Sequence, residues 1–372
     1  MQKVNLNLVL NTNLYIGDNK KFEISSILKE FNLNEPLLIL DNFFYKNMTD
    51  LKFLTKTGFM KQDNVYYYES NFEPSYQYID TLKQKILDNK VKFDSILAIG
   101  GGSVMDTAKA LAYVFELKDS SINHRGFFSS ANHKVFPVIC IPTTIGTASE
   151  VVYKASLINE VDNVKLGINY KKNYPIASII DPTMVMNAPK EILVSSGLDA
   201  LVHCIESYGS IKSNDITREL SSISYQKLST SLKEIFKGTK DEKFFLEAQL
   251  GAIFAMLAMS NTSPGPITVL SYFVGPEYKI SHGIAGGIFI DIVVENNKKN
   301  GFDYARISPN SNFYDDINEI LKLSNIKNIQ KNIFEKIDKD KLIDYVKKKP
   351  IKTFNPTQIS IESVIQEINA RK

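Results

Sequence analysis

The sequence predicts an α/β domain over residues 1–182 followed by an all-α domain over residues 183–372. Three observations carry that expectation. Short apolar runs alternate with longer amphipathic ones in the first half of the chain; those runs are rich in Val, Ile and Leu with little polar alternation; and beyond about residue 183 a helical period dominates. Apolar runs of that kind suit strands buried on both faces, hence a parallel sheet covered by helices. A length of 372 residues suits two domains and leaves ample material for a core.

Taken in order, MQKVNLNLVLNTNLYIG alternates polar and apolar residues, which signals a strand and lacks the continuous apolar stretch of a secretion signal. The strands PLLILD (36–41), SILAIG (95–100) and VFPVICIP (135–142) come next, with helical patterns between them and a helix expected over about 103–117. SSINHRGFFSSANHK reads as a polar surface loop that leaves His124 and His133 at the surface. Further strands are expected at 151–158 and 165–169, then ASIIDPTMV, where Asp181 and Pro182 punctuate the chain. APKEILVSSGLDALVHCIESYGS, ITRELSSISYQKLSTSLKEIFKG and KFFLEAQLGAIFAMLAMSN carry helical periodicity, with helical fragments to the C-terminus. The charge-rich NNKKNG (296–301) and YVKKKPIK (345–352) read as solvated loops or helix ends.

Composition removes several classes of function. With 44 basic against 41 acidic residues the net charge is +3, so no strong field favours nucleic acid or a membrane surface. No stretch of 18 uncharged apolar residues occurs, so no membrane-spanning helix is expected. Cys140 and Cys204 lie in apolar segments and read as buried free thiols, which fits a reducing cytoplasm.

SILAIGGGSVMDTAKALAYVF is a strand that runs into three glycines and then a helix. Without Cβ atoms, Gly100, Gly101 and Gly102 let a ligand approach the backbone, and the helix that begins near Ser103 offers unpaired N–H groups and a positive dipole end to a pyrophosphate. Asp106 and Lys109 follow on the next turns. The spacing is neither GxGxxG nor a P-loop, so the segment reads as a phosphate cradle of another pattern in a Rossmann-like domain, or as a tight turn where helix packs on strand. IPTTIGTASEVV (141–152) adds hydroxyls at Thr143, Thr144, Thr147 and Ser149 that suit phosphate, ribose or an amide, or an ordinary turn. Asp41 at the end of PLLILD could bind ribose hydroxyls or cap the following segment; as a carboxylate it favours NAD over NADP.

GGGSVMDTAKA, IPTTIGTASEVV, KLGIN, DPTMV, GLDALVHCIES and SHGIAG occur in the order and approximate spacing of the iron-containing (group III) alcohol dehydrogenases, which the chain resembles up to about residue 297. That superfamily has the dehydroquinate synthase-like fold. Through LDNFFYKN, KLGINYKKNYPIASIIDP, HCIES and SHGIAG the chain looks most like the branch that oxidises the 8-hydroxyl of the sugar acid 3-deoxy-D-manno-octulosonate (Kdo). The resemblance implies a nucleotide-binding domain, a helical metal-binding domain, catalysis between them, NAD(P) with a divalent metal, an alcohol, aldehyde or sugar-acid substrate, and a homodimer. It places Gly101, Gly102, Ser103 and Asp106 at the pyrophosphate and its loop, Thr143, Thr144 and Thr147 at the nicotinamide, Asp41 at the ribose and Lys165 facing the cofactor. It matches Asp199, His203 and His282 to three of the four usual metal ligands.

Asp199 and His203 at i and i+4 share one helix face and can reach one ion; with His282 they form a donor set that suits Fe2+ or Zn2+ with a position open for substrate. Such an ion acts as a Lewis acid toward the substrate oxygen while hydride passes from carbon to nicotinamide. The chain departs from the family at Thr268, where the fourth ligand is usually histidine, and at Tyr272, a second family histidine position whose hydroxyl could serve proton transfer together with Lys165. Two other readings stay open: a sugar-phosphate cyclase of the dehydroquinate synthase type, and a nucleotide-binding relative with a decayed metal site. Arg125, Lys154 and Lys279 are the basic residues placed to meet a sugar-acid carboxylate.

Overall fold

A computed structural model describes residues 10–47, 51–55, 57–61, 63–69, 73–161, 164–308, 312–348 and 354–371. The alternating segment 1–9 and residues 349–352 of the charged segment lie outside them. The chain forms two compact units: one of Leu10–Thr144 and Ala148–Ala188, the other of Ile145–Thr147 and the chain from Pro189 onward.

The first unit contains strands β1 (Asn13–Ile16), β2 (Pro36–Asp41), β3 (Val65–Tyr68), β4 (Ser95–Gly100), β5 (Gly126–Phe128), β6 (Val138–Pro142), β7 (Lys154–Ala155), β8 (Ile158–Asn159), β9 (Val164–Lys165), β10 (Ile168–Tyr170) and β11 (Ala177–Ile180). Its helices are α1 (Ile24–Glu30), α2 (Phe43–Lys46), α3 (Lys52–Thr55), α4 (Tyr76–Asp88) and α5 (Gly102–Val114). Six strands form one sheet in the order β1-β11-β6-β4-β2-β3, and every pairing in it is parallel. The unbroken apolar runs follow from this placement. Leu38, Leu40, Leu97 and Ile99 enter the core on one face while Leu37, Ile39, Ile96 and Ala98 enter the core on the other, so neither parity of β2 or β4 meets water.

Several expected elements differ. The strand expected from 135 begins only at Val138, after Pro137, which has no N–H to give a ladder. The segment 151–158 is not one strand: a 3-10 turn at Ser149–Val151 precedes the two-residue β7 and β8. The supposed loop 120–134 contains β5, which pairs with β10, and it half-buries both histidines. His124 bonds Asp119 and the His133 ring packs edge-on against Tyr113, so neither is a bare surface residue. Strand β3, VYYY, was not expected because three tyrosines blur the apolar pattern.

The second unit is helical: α6 (Lys190–Gly209), α7 (Asp215–Lys237), α8 (Glu242–Thr262), α9 (Pro266–Tyr278), α10 (His282–Gly287), α11 (Ile290–Lys299), α12 (Phe313–Leu323), α13 (Ile326–Lys336), α14 (Lys339–Lys348) and α15 (Ile361–Ala370). Helix α6 is its axis, with every residue from Ser196 to Gly209 buried, and α7, α8 and α10 pack around it. By length and composition α8 could cross a bilayer; here it packs against α6 and α7. Cys140 and Cys204 are free and buried, as expected.

Candidate functional site

In the α/β unit the chain passes from β2 outward to β3, then returns to the other side of β2 as β4. That reversal is a topological switch point, and ligands of open α/β sheets bind beyond the carboxyl ends of the strands there. Asp41 ends β2 and Gly100 ends β4, and Leu40 pairs with Ile99 in the ladder just before them. The Asp41 carboxylate accepts from Phe43 N–H at 2.9 Å, and its partial burial raises its pKa above the ordinary carboxylate value against the lowering effect of that bond.

Helix α5 begins at Gly102, and no side chain caps its amino end. A Cβ on Gly101 would stand 3.0 Å from the Thr144 methyl, so the turn is already closely filled by the next loop. Thr143 N–H donates to Gly100 carbonyl at 3.0 Å, which ties the two turns together, and the buried hydroxyl oxygen of Thr144 has no hydrogen-bond partner. An uncapped helix start, glycine backbone beside it and an unsatisfied hydroxyl fit a dinucleotide phosphate.

Asp106 and Lys109 both engage protein groups of the neighbouring segment. Lys109 is fully buried, 3.1 Å from Asp106, and its ammonium donates to Ser149 carbonyl (2.9 Å), Ser149 Oγ (2.6 Å), Val152 carbonyl (3.1 Å) and Lys154 carbonyl. Asp106 accepts from Ser149 Oγ and, at 3.0 Å, from Ser156 N–H. The pair clamps residues 149–156 to α5. Lys165 on β9 is held by Glu73 at 2.6 Å.

In the helical unit, Asp199 and His203 occupy one face of α6 and His282 opens α10. Asp199 Oδ1 lies 3.6 Å from His203 Nε2 and 3.8 Å from His282 Nε2. Two donors about 2.1 Å from a tetrahedral ion would stand about 3.4 Å apart. The three side chains therefore converge but stand slightly too open, and no group of three or more His, Cys, Asp and Glu among the described residues is arranged to hold an ion as it stands. Both separations from Asp199 exceed that tetrahedral spacing by a few tenths of an ångström, and the carboxylate and imidazole chemistry of the three residues fits Fe2+ or Zn2+. The His203 Nδ1 is buried without a partner.

Glycines bring His282 to this place. A Cβ on Gly283 would stand 1.8 Å from Ser195 carbonyl oxygen, and one on Gly287 would stand 2.7 Å from a Leu198 methyl. Only bare backbone lets α10 come this close to α6. Ser195 and Ser281 hydroxyls pair at 2.8 Å across the same crossing. From α9, the Tyr272 ring stacks on the His282 ring with centroids 5.3 Å apart and planes 19° apart, and Ser271 Oγ lies 3.2 Å from His282 Nδ1.

Thr268 has a partner other than the trio. Its hydroxyl donates to Glu206 Oε2 at 2.6 Å and its N–H to Oε1 at 3.1 Å, while Gly265 N–H donates to Oε2 at 2.8 Å. Glu206 is buried on α6 and caps α9 from outside that helix. Sequence reading missed Glu206 and Ser271. The run HCIES displayed the glutamate, but its partner lies 62 residues away.

The profile of the iron-containing alcohol dehydrogenases matches residues 11–182, and that of the family's C-terminal region matches residues 193–361. The chain belongs to the iron-containing alcohol dehydrogenase family. Within that family it is 31% identical to alcohol dehydrogenase 4 of Saccharomyces cerevisiae over 54% of this chain and 53% of that one. It is 27% identical to an alcohol dehydrogenase of Thermococcus barophilus over 95% and 96%. The matched stretch spans about half the length of the first curated relatives. Among solved structures, sulfoacetaldehyde reductase from Bifidobacterium kashiwanohense in complex with NAD+ superposes with a TM-score of 0.83 at 20% identity, covering 99% of this chain and 98% of that one. The fold of the family is therefore shared in full, with a parallel-sheet unit and a helical unit.

Proposed function

We propose that this chain is a nicotinamide-dependent, metal-assisted oxidoreductase that interconverts a hydroxyl and an aldehyde on a small molecule. The approach of His203 and His282, from two helices, to within 3.6 and 3.8 Å of the Asp199 carboxylate supports the reading. The family's relatives support it, since they include an NAD-dependent methanol dehydrogenase and a sulfoacetaldehyde reductase with NAD+. A divalent iron or zinc ion held by the trio would supply Lewis acidity toward the substrate oxygen, and NAD would supply the hydride acceptor.

The chain's own residues divide the remaining work. Gly101, Gly102 and Ser103 present backbone N–H groups to the pyrophosphate, Asp106 anchors the loop beside them, and Asp41 takes the ribose hydroxyls. Thr143, Thr144 and Thr147 address the nicotinamide, with the unpartnered buried hydroxyls of Thr144 and Thr147 as its donors. Lys165, steadied by Glu73, faces the cofactor, and the Tyr272 hydroxyl handles the substrate proton. For the substrate we propose a sugar acid such as Kdo, on the strength of the sequence resemblance. Lys154 is the basic group we assign to its carboxylate; burial lowers its pKa, and a nearby anion would oppose that shift.

Elemental analysis is expected to show about one iron or zinc per chain, lost in His282→Ala. Reduced-nicotinamide absorbance should rise with NAD and a panel of alcohols and Kdo. Metal content unchanged in that variant would refute the trio. Tight NAD binding without turnover under any metal would favour a relative with a weakened metal site, which the engagement of Thr268 by Glu206 makes the second reading.

A further inference from the structure

The second ring nitrogen of His282 meets a hydroxyl, and the contacts of that hydroxyl constrain where its own proton lies. Ser271 Oγ is 2.7 Å from the carbonyl oxygen of Thr268, one helical turn earlier. A carbonyl oxygen has no proton to give, so the single hydroxyl proton of Ser271 must bridge that distance. Ser271 therefore has only lone pairs left to face His282 Nδ1, 3.2 Å away. A hydrogen bond there requires the imidazole to donate.

We propose that Ser271 is a positioning residue that fixes neutral His282 as its Nδ1–H tautomer, so that Nε2, the nitrogen turned toward Asp199, carries the lone pair a divalent cation needs. The inference rests on the metal reading above for its purpose, though its proton arrangement stands without it. Tyr272 completes the device from the adjacent position of α9: its ring lies parallel to the imidazole and limits tilt, while Ser271 sets rotation within the plane. Both side chains depend on the placement of α9, whose amino end Glu206 holds through Gly265 and Thr268. The residue that stands where a fourth ligand is usual thus serves His282 through its own carbonyl oxygen. Partners of this kind, beyond the ligands themselves, commonly change metal affinity by about 10–100-fold.

Long-range nitrogen–proton correlation spectra of the 15N-labelled, metal-free chain, recorded at a pH where imidazoles are neutral and with His282 assigned by its loss in His282→Gln, read the tautomer directly. The expected wild-type spectrum has Nδ1 protonated and Nε2 bare. In Ser271→Ala the two tautomers should mix, and zinc affinity measured by competition with a chromophoric chelator should fall about tenfold or more. Ser271→Thr, which keeps the hydroxyl, should retain the wild-type pattern. A wild-type spectrum with Nε2 protonated would overturn the proposal, as would a Ser271→Ala variant with unchanged tautomer and unchanged affinity. The wild-type spectrum needs no metal and no variant, so a chain that binds no zinc while showing Nδ1–H sinks the metal reading and leaves the tautomer assignment standing.

Discussion

At Glu206 a single carboxylate holds a helix that its own residues leave uncapped. Helix α9 starts at Pro266 with glycine before it and no capping side chain of its own, and the buried Glu206 supplies the acceptor from α6. Thr268→Val keeps the volume but removes the shortest of these bonds to Glu206; leaving a buried carboxyl short of a donor is expected to cost on the order of 1–3 kcal/mol, read by denaturant unfolding. Sequence alone suggests that Thr268→His would tighten metal binding by restoring an imidazole. The observed packing reverses that expectation: the variant should lose stability with no gain in zinc affinity, because position 268 faces Glu206. The adjacency of Asp199 and His203 was legible in the sequence because their i, i+4 spacing is local. The role of Thr268 was not, because it depends on a carboxylate brought in from another helix.

At the scale of elements, two crossings place the candidate chemistry. Helix α10 sits on α6 through Gly283 and Gly287, and Gly283→Ala would set a methyl group 1.8 Å from a backbone carbonyl that cannot rotate away. The variant is expected to push α10 off α6, with a lower Tm and a loss of metal affinity larger than its loss of NAD affinity; equal losses of both would show that the crossing does not place His282. The second crossing is the clamp of Asp106 and Lys109 on residues 149–156. Sequence places Lys109 just after the glycine turn without saying what it meets, and here four protein oxygens other than Asp106's take its ammonium. The motif was visible while its direction was not, because the acceptors are mostly main-chain carbonyls of a segment whose path sequence does not reveal. The buried strands β2 and β4 were plain, since both of their faces are apolar; β7, β8 and β9, two residues each, have no periodicity to detect.

For the molecule as a whole, the buried carboxyl of Glu150 is one group expected to make stability vary with pH. Burial raises the Glu150 pKa from 4.5 to about 7, with nearby Lys109 opposing the rise, and its Oε2 has no partner. A carboxyl whose folded-state pKa is raised favours folding in its protonated form. That contribution is complete below about pH 4.5 and declines as pH climbs to about 7, by up to about 1.4 kcal/mol per unit. Glu150→Gln should flatten that part of the profile and leave the chain more stable than wild type at pH 8, as measured by urea unfolding across pH. A wild-type profile with no decline between those limits would show that Glu150 ionises normally.

The grouping of Ile145–Thr147 with the helical unit has a consequence for the order in which the protein is made. Ile145 N–H donates to Ser196 Oγ, and Gly146 has room for no Cβ against the Ser196 carbonyl. The partner is 51 residues downstream. On a ribosome, the turn that follows β6 must therefore wait, with its neighbours already synthesised, until α6 leaves the exit tunnel. A nascent chain released before that moment would have its α/β residues but not the docking surface for this turn, so the last step in ordering the turn after β6 belongs to the helical half of the chain.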